Sequence, residues 1–138
     1  MMLEIKMFFI VLIFIALMDF IWLGLISKNI YFSEMKPIVR TDGKSIIPNW
    51  PAALLVYHLL ALAVVLFILP AISNQESLVT KVLVGAFMGL IIYGVYDLTN
   101  YAILEKFTLK IALIDMAWGT ISFGLTTLFT TYILPLLK

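Results

Sequence analysis

Four long apolar stretches constrain this chain more than any other feature: about Ile5 to Ser27, Pro51 to Ser73, Val82 to Leu104 and Ile111 to Leu137. A helix rises 1.5 Å per residue and needs about 20 residues to cross a hydrocarbon core roughly 30 Å thick. A segment in lipid finds no water for its backbone, so each stretch is expected to be helical. The expectation is an all-α integral membrane bundle of four transmembrane helices, forming one domain over residues 1–138. Composition points the same way. Hydrophobic residues make up 64% of the chain and charged residues 12%, against about half and about a quarter in soluble domains. A net charge of +1 argues against nucleic acid as a partner. There is no cysteine, which excludes disulfides, thiolate metal ligands and cysteine nucleophiles.

The first stretch has only Lys6 as a basic flank, lacks a small-residue cleavage site, and holds Asp19 and Trp22, so it reads as a retained helix rather than a signal peptide. The connections over residues 74–81 and 105–110 are short and make the helices they join antiparallel neighbours. Residues 28–50 form the one long connection. Its Ile30, Tyr31, Met35, Ile38 and Val39 fall roughly at helical spacing, which suits a short interfacial segment that Pro37 interrupts. Asp42-Gly43 reads as a turn, and Trp50-Pro51 as an interfacial anchor opening the second helix. Pro70 and Pro135 lie near helix exits, where a kink is tolerated.

Polar residues inside the apolar stretches carry the functional signal. Counted from the side of the long connection, Asp19, His58, Asp97 and Asp115 all lie roughly 8 to 14 Å deep. The helices alternate in direction, yet these groups arrive at one depth. Helical spacing adds Trp22 beside Asp19, Tyr93 and Asn100 beside Asp97, and Trp118, Gly119 and Ser122 beside Asp115. Polar faces in lipid turn inward, so the candidate ligand-binding set is Asp19, Trp22, His58, Tyr93, Tyr96, Asp97, Asn100, Asp115 and Trp118. Structural roles compete with this reading. Asn100, Ser122, Thr126 and Thr127 read as polar contacts between helices, and Gly85, Gly89 and Gly94 as close-packing positions. His58 alone reads as a satisfied interior histidine, and Trp22 and Trp118 serve equally as packing or lining residues.

Three Asp are harder to dismiss, because each costs about 2.5 to 3.5 kcal/mol at a span centre and less off centre. No Lys or Arg stands at that depth to pair with them. Neighbouring carboxylates do not all ionise cheaply, so a retained proton or a bound cation is expected among them.

The stretches MDFIWLG (18–24), NWPAALLVY (49–57), YDLTNYA (96–102) and IDMAWG (114–119) together resemble the domain-of-unknown-function family 2177 of small bacterial inner-membrane proteins. The likeness runs over essentially the whole chain, and YDLTN with D-x-x-W-G is its most specific part. Against that pattern this chain carries a longer, more basic first connection, with TDGKSIIP before NWPA. The resemblance implies four helices and a multi-pass place in a bacterial inner membrane, and it brings no activity or cofactor.

Three functions remain open. One is a membrane protein that binds, transports or transfers a small polar or amphipathic molecule, with conduction through so narrow a bundle requiring a homodimer. Another is an enzyme acting on a lipid or isoprenoid, with a protonated Asp as acid and a carboxylate or His58 as base; its metal-dependent form would take the Asp groups and His58 as ligands. The third is a structural or accessory subunit.

Orientation follows the basic residues. The side of the long connection holds Lys28, Lys36, Arg40, Lys44, Lys106 and Lys110, and the opposite side holds Lys6, Lys81 and Lys138. This bias puts the long connection in the cytoplasm and both termini outside. A cysteine placed at Ser45 is therefore expected to resist impermeant thiol reagents added to intact cells, and one at Ser77 to react. The opposite labelling pattern would invert the topology.

Overall fold

The computed structural model describes residues 2–137. Four helical spans, Met2–Ile26, Trp50–Ile72, Leu78–Ile103 and Leu109–Leu137, are each long and apolar enough to cross a bilayer. Among the described residues there is no strand beyond one isolated bridge, Thr41 with Ile46, which closes the turn at Gly43. Gly43 has φ of 90°, a left-handed value that glycine adopts without a Cβ penalty. Asp42 Oδ1 accepts from the Lys44 and Ser45 amides at 2.8 and 2.7 Å and completes the turn.

Polar caps rather than hydropathy set where the later spans begin. Asn49 Oδ1 accepts from the Ala52 amide at 3.4 Å with Pro51 in the first turn, so the second span starts at Trp50. Ser77 Oγ accepts from Thr80 N at 3.3 Å and draws Leu78–Lys81 into the third span. Thr108 does the same for the fourth, accepting from Ile111 N at 3.3 Å.

Two spans contain a π-helical turn. In the first span it covers Trp22–Ile26, where both the backbone N–H and the hydroxyl of Ser27 donate to the Trp22 carbonyl at 2.7 Å. In the second it covers Val64–Ile68, just ahead of Pro70. A proline ring crowds the carbonyl four residues earlier, and the wider turn absorbs that conflict. Pro135 has a milder effect, since the fourth span tightens into a 3-10 turn over Leu134–Leu137.

The third and fourth spans share the most extensive contact in the molecule. Glycines bring them close. A Cβ at Gly89 would strike the Gly119 carbonyl and lie 2.7 Å from Phe123 Cβ, and one at Gly85 would strike Thr127. A Cβ at Gly119 would strike the Tyr93 ring. In lipid, association rests on such close packing rather than on a hydrophobic drive. Ser122, Thr126, Thr127 and Thr130 are buried beside this seam, and Ser122 also meets the Tyr93 hydroxyl across it. Their hydroxyls donate to carbonyls of their own helix: Gly119, Ser122, Phe123 and Thr127, at 2.7 to 3.2 Å. The threonines serve the seam by their small size, which corrects the expectation of hydroxyl contacts between helices for Thr126 and Thr127.

The first span packs on the second and on the fourth. Met7, Val11 and Ile15 meet Leu60, Val64, Ile68 and Phe123 in one apolar core on the side away from the long connection. The second span divides its contacts. Its Val64–Ile72 half packs against the third span, whereas its Trp50–Ala63 half leans on the first. A gap therefore opens between the second and third spans on the connection side, with Ala53, Val56 and Tyr57 facing Ile92, Tyr93 and Tyr96.

Replacing Gly89 with Ala puts a methyl against backbone, so a loss of about 1–3 kcal/mol is expected. At Gly94 the added methyl meets only the mobile end of Met116, at 3.4 Å. Thermal unfolding in detergent should show a lower Tm for Gly89→Ala and little change for Gly94→Ala.

Candidate functional site

The interior polar site is built on an Asp-x-x-Trp spacing that occurs twice, Asp19 with Trp22 on the first span and Asp115 with Trp118 on the fourth. Residues three apart share a helix face. The two tryptophans stack across the helix boundary, with ring centres 4.6 Å apart and planes 5° from parallel. Trp118 Nε1 donates to Asp19 Oδ1 at 2.7 Å. Trp22 Nε1 donates to the Tyr31 hydroxyl at 3.3 Å, and that hydroxyl donates to Asp115 Oδ1 at 2.5 Å. Each carboxyl is thus served by the tryptophan of the other pair, directly for Asp19 and through Tyr31 for Asp115. The π-helical turn starts at Trp22, and such turns rotate the side chains that follow from regular helical register.

Tyr31 belongs to the connecting helix Lys28–Met35, which folds back under the bundle. It is buried with Phe107, Ile111 and Ala112. Burial first, then the charge of Asp115, pushes its hydroxyl well above the ordinary tyrosine value, so it remains a donor. Glu34, one turn on, holds the same helix to the start of the fourth span. It accepts from Lys110 Nζ and from Thr108 Oγ1, both at 2.7 Å. These bonds, Lys110 foremost, keep the Glu34 carboxyl below the usual range.

Asp97 comes from the third span and is fully buried, with no exposed surface. Its carboxyl faces that of Asp115, and Asp115 also lies near Asp19. Carboxyls from three spans therefore meet in one interior. Asp19 and Asp115, but not Asp97, reach a cavity of about 370 Å³ that fills the gap between the second and third spans, walled by Leu23, Val56, Leu60 and Ile92 and by Tyr57, Tyr93 and Tyr96. A second cavity, about 790 Å³, shares Asp19, Asp115 and the three tyrosines and extends beneath the long connection to Lys28, Met35, Ile46 and Trp50. Pockets for small molecules run roughly 300 to 1,000 Å³.

The structure brings Asp19, Asp97, Asp115, Trp22, Trp118, Tyr93 and Tyr96 together in or around this interior. Asn100 lies a turn beyond Tyr96 and beside its hydroxyl, and it does not line either cavity. His58 does not line them either. Its side chain is on the outer surface, with Nδ1 2.7 Å from the Leu54 carbonyl and the ring tilted against Phe8. Successive helical residues point about 100° apart, and on this span Tyr57 takes the inward position beside Asp19. Tyr31 and Tyr57 are the site residues that sequence reasoning missed. Tyr57 stood one residue from His58 at the same depth, and Tyr31 gave no signal beyond its place in an amphipathic segment. Trp50, read as an anchor, also borders the larger cavity. Among the described residues, no group of three or more His, Asp or Glu side chains is arranged to hold a metal ion.

This fold and interior define a small multi-pass membrane protein with a carboxyl-lined cavity. The family described as "Predicted membrane protein (DUF2177)" matches residues 4–132, and the chain belongs to it. No curated protein and no solved structure matches the chain.

Tyr31→Phe should leave Asp115 Oδ1 without its donor, at a cost of about 1–3 kcal/mol. Hydrogen exchange is expected to rise in Lys28–Met35 first, ahead of the spans. Unchanged protection there would mean that Glu34 alone holds the connecting helix.

Proposed function

We propose that this protein binds an amphipathic small molecule that reaches the carboxyl cavity sideways out of the bilayer, and that it transfers or transports that molecule. The observation that carries this reading is the divergence of the second and third spans, which leaves apolar walls leading inward to Asp19 and Asp115. An acyl or isoprenoid chain fits between Val56, Leu60 and Ile92, whose side chains offer it the same surroundings as lipid. The headgroup would then meet two carboxyls and the hydroxyls of Tyr57, Tyr93 and Tyr96.

That lining selects by charge. Lys28 borders the larger cavity, and among the described residues no other basic side chain lines either cavity. A headgroup that is cationic, or neutral and rich in hydrogen-bond donors, suits carboxyls and aromatic faces. An anionic phosphate would meet carboxylates at close range, which is unfavourable in low dielectric. With the long connection in the cytoplasm, as the basic residues favour, the larger cavity gives the headgroup a route to that side. An inner-membrane setting accords with the family resemblance.

Val56 borders the gap, and a larger side chain there would block it without touching the carboxyls. Native mass spectrometry of the protein released from lipid nanodiscs is expected to show a retained amphiphile, with at least a tenfold lower occupancy in Val56→Trp at unchanged helix content. Equal retention by both proteins, or none by the wild type, would contradict the reading.

A further inference from the structure

Among the described residues, the only buried side-chain polar atoms without any hydrogen-bond partner are Oδ1 and Oδ2 of Asp97. Buried polar groups are satisfied in the great majority of cases, so an orphaned carboxyl with no exposed surface demands a reason. The group it faces is the carboxyl of Asp115 on the neighbouring span. Two carboxylates can only accept, and in contact they repel. With one hydrogen between them, one carboxyl donates and the other accepts.

Other donors are already committed. Trp118 serves Asp19, Tyr31 serves Asp115 itself, and Lys110 and Thr108 serve Glu34. The titratable groups that face the pair are Asp19 from the first span, Tyr31 from the connecting helix, and Tyr93 and Tyr96 from the third span. Tyr57 stands behind them, next to Asp19 and Tyr93. Among the described residues no Lys, Arg or His side chain acts on either carboxyl of the pair.

We propose that Asp97 and Asp115 form a one-proton site, a carboxyl and a carboxylate holding a single hydrogen between them. The two members have different access. Asp115 borders both cavities, so a proton can arrive and leave through it, whereas Asp97 is sealed behind it. Asp115 also takes the Tyr31 hydroxyl, so the occupancy of the site bears directly on the helix beneath the larger cavity. This inference does not depend on an amphiphile occupying the gap.

Infrared spectroscopy of the intact protein in lipid bilayers reads the site directly. The expected result at neutral pH is a protonated-carboxyl C=O band that shifts in D2O. Asp97→Asn and Asp115→Asn should each abolish it, because an Asn amide can donate to the remaining carboxylate. Asp19→Asn should leave it in place. Asp97→Asn should also keep the wild-type Tm, while Asp97→Ala, which supplies no donor and leaves a void, lowers it. The proposal is overturned if the wild type lacks the band, if the band survives in both pair variants, or if Asp19→Asn removes it. Full loss of the band in wild type on adding sodium would likewise overturn it in favour of a cation site.

Discussion

The rest of this structure answers to the cost of placing three carboxyls inside a membrane bundle where none of the described basic side chains stands beside them. Each must be hydrogen-bonded or neutralised, because a bare charge in low dielectric costs far more than a span of this size gains by packing. The molecule meets that requirement at Asp19 and Asp115 with indole and phenol donors, and leaves Asp97 to face Asp115. Trp118 serves Asp19, and Tyr31, backed by Trp22, serves Asp115. The stacked tryptophans fix the first and fourth spans at the depth where these bonds form. The donor for Asp115, Tyr31, comes from outside the spans, and this bond ties the connecting helix to the underside of the bundle.

The position of the cavity follows from where small residues occur. Gly85, Gly89 and Gly119 let the third and fourth spans close on each other, and that tight pair carries Asp97 and Asp115. The second span has no glycine, and its Trp50–Ala63 half leans on the first span. Space is therefore left between the second and third spans, and Asp19 and Asp115 border it. Lipid-facing residues such as Phe9, Ile13, Leu59, Phe87 and Val95 cover the remaining outer surface.

The spans were legible in the sequence because bilayer thickness sets a length that hydropathy reveals without alignment or packing. Depth was legible for the same reason, since 1.5 Å per residue puts Asp19, Asp97 and Asp115 at one level. Angle was less so. The second span is apolar around nearly its whole circumference, so nothing local distinguishes the inward Tyr57 from the outward His58. Tyr31 was beyond reach because its partner lies 84 residues away and depends on a fold-back that periodicity does not encode. The hydroxyls of Thr126 and Thr127 misled for a local reason: a helix offers each of them a carbonyl of its own.

Magic-angle-spinning NMR on aspartate-labelled protein in lipid bilayers asks whether carboxyls from separate spans touch. A through-space correlation is expected between the side-chain carboxyl carbons of Asp97 and Asp115, with a contact from the Trp118 indole nitrogen to Asp19. Absence of both correlations, with lipid acyl contacts to any of the three aspartates instead, would contradict it.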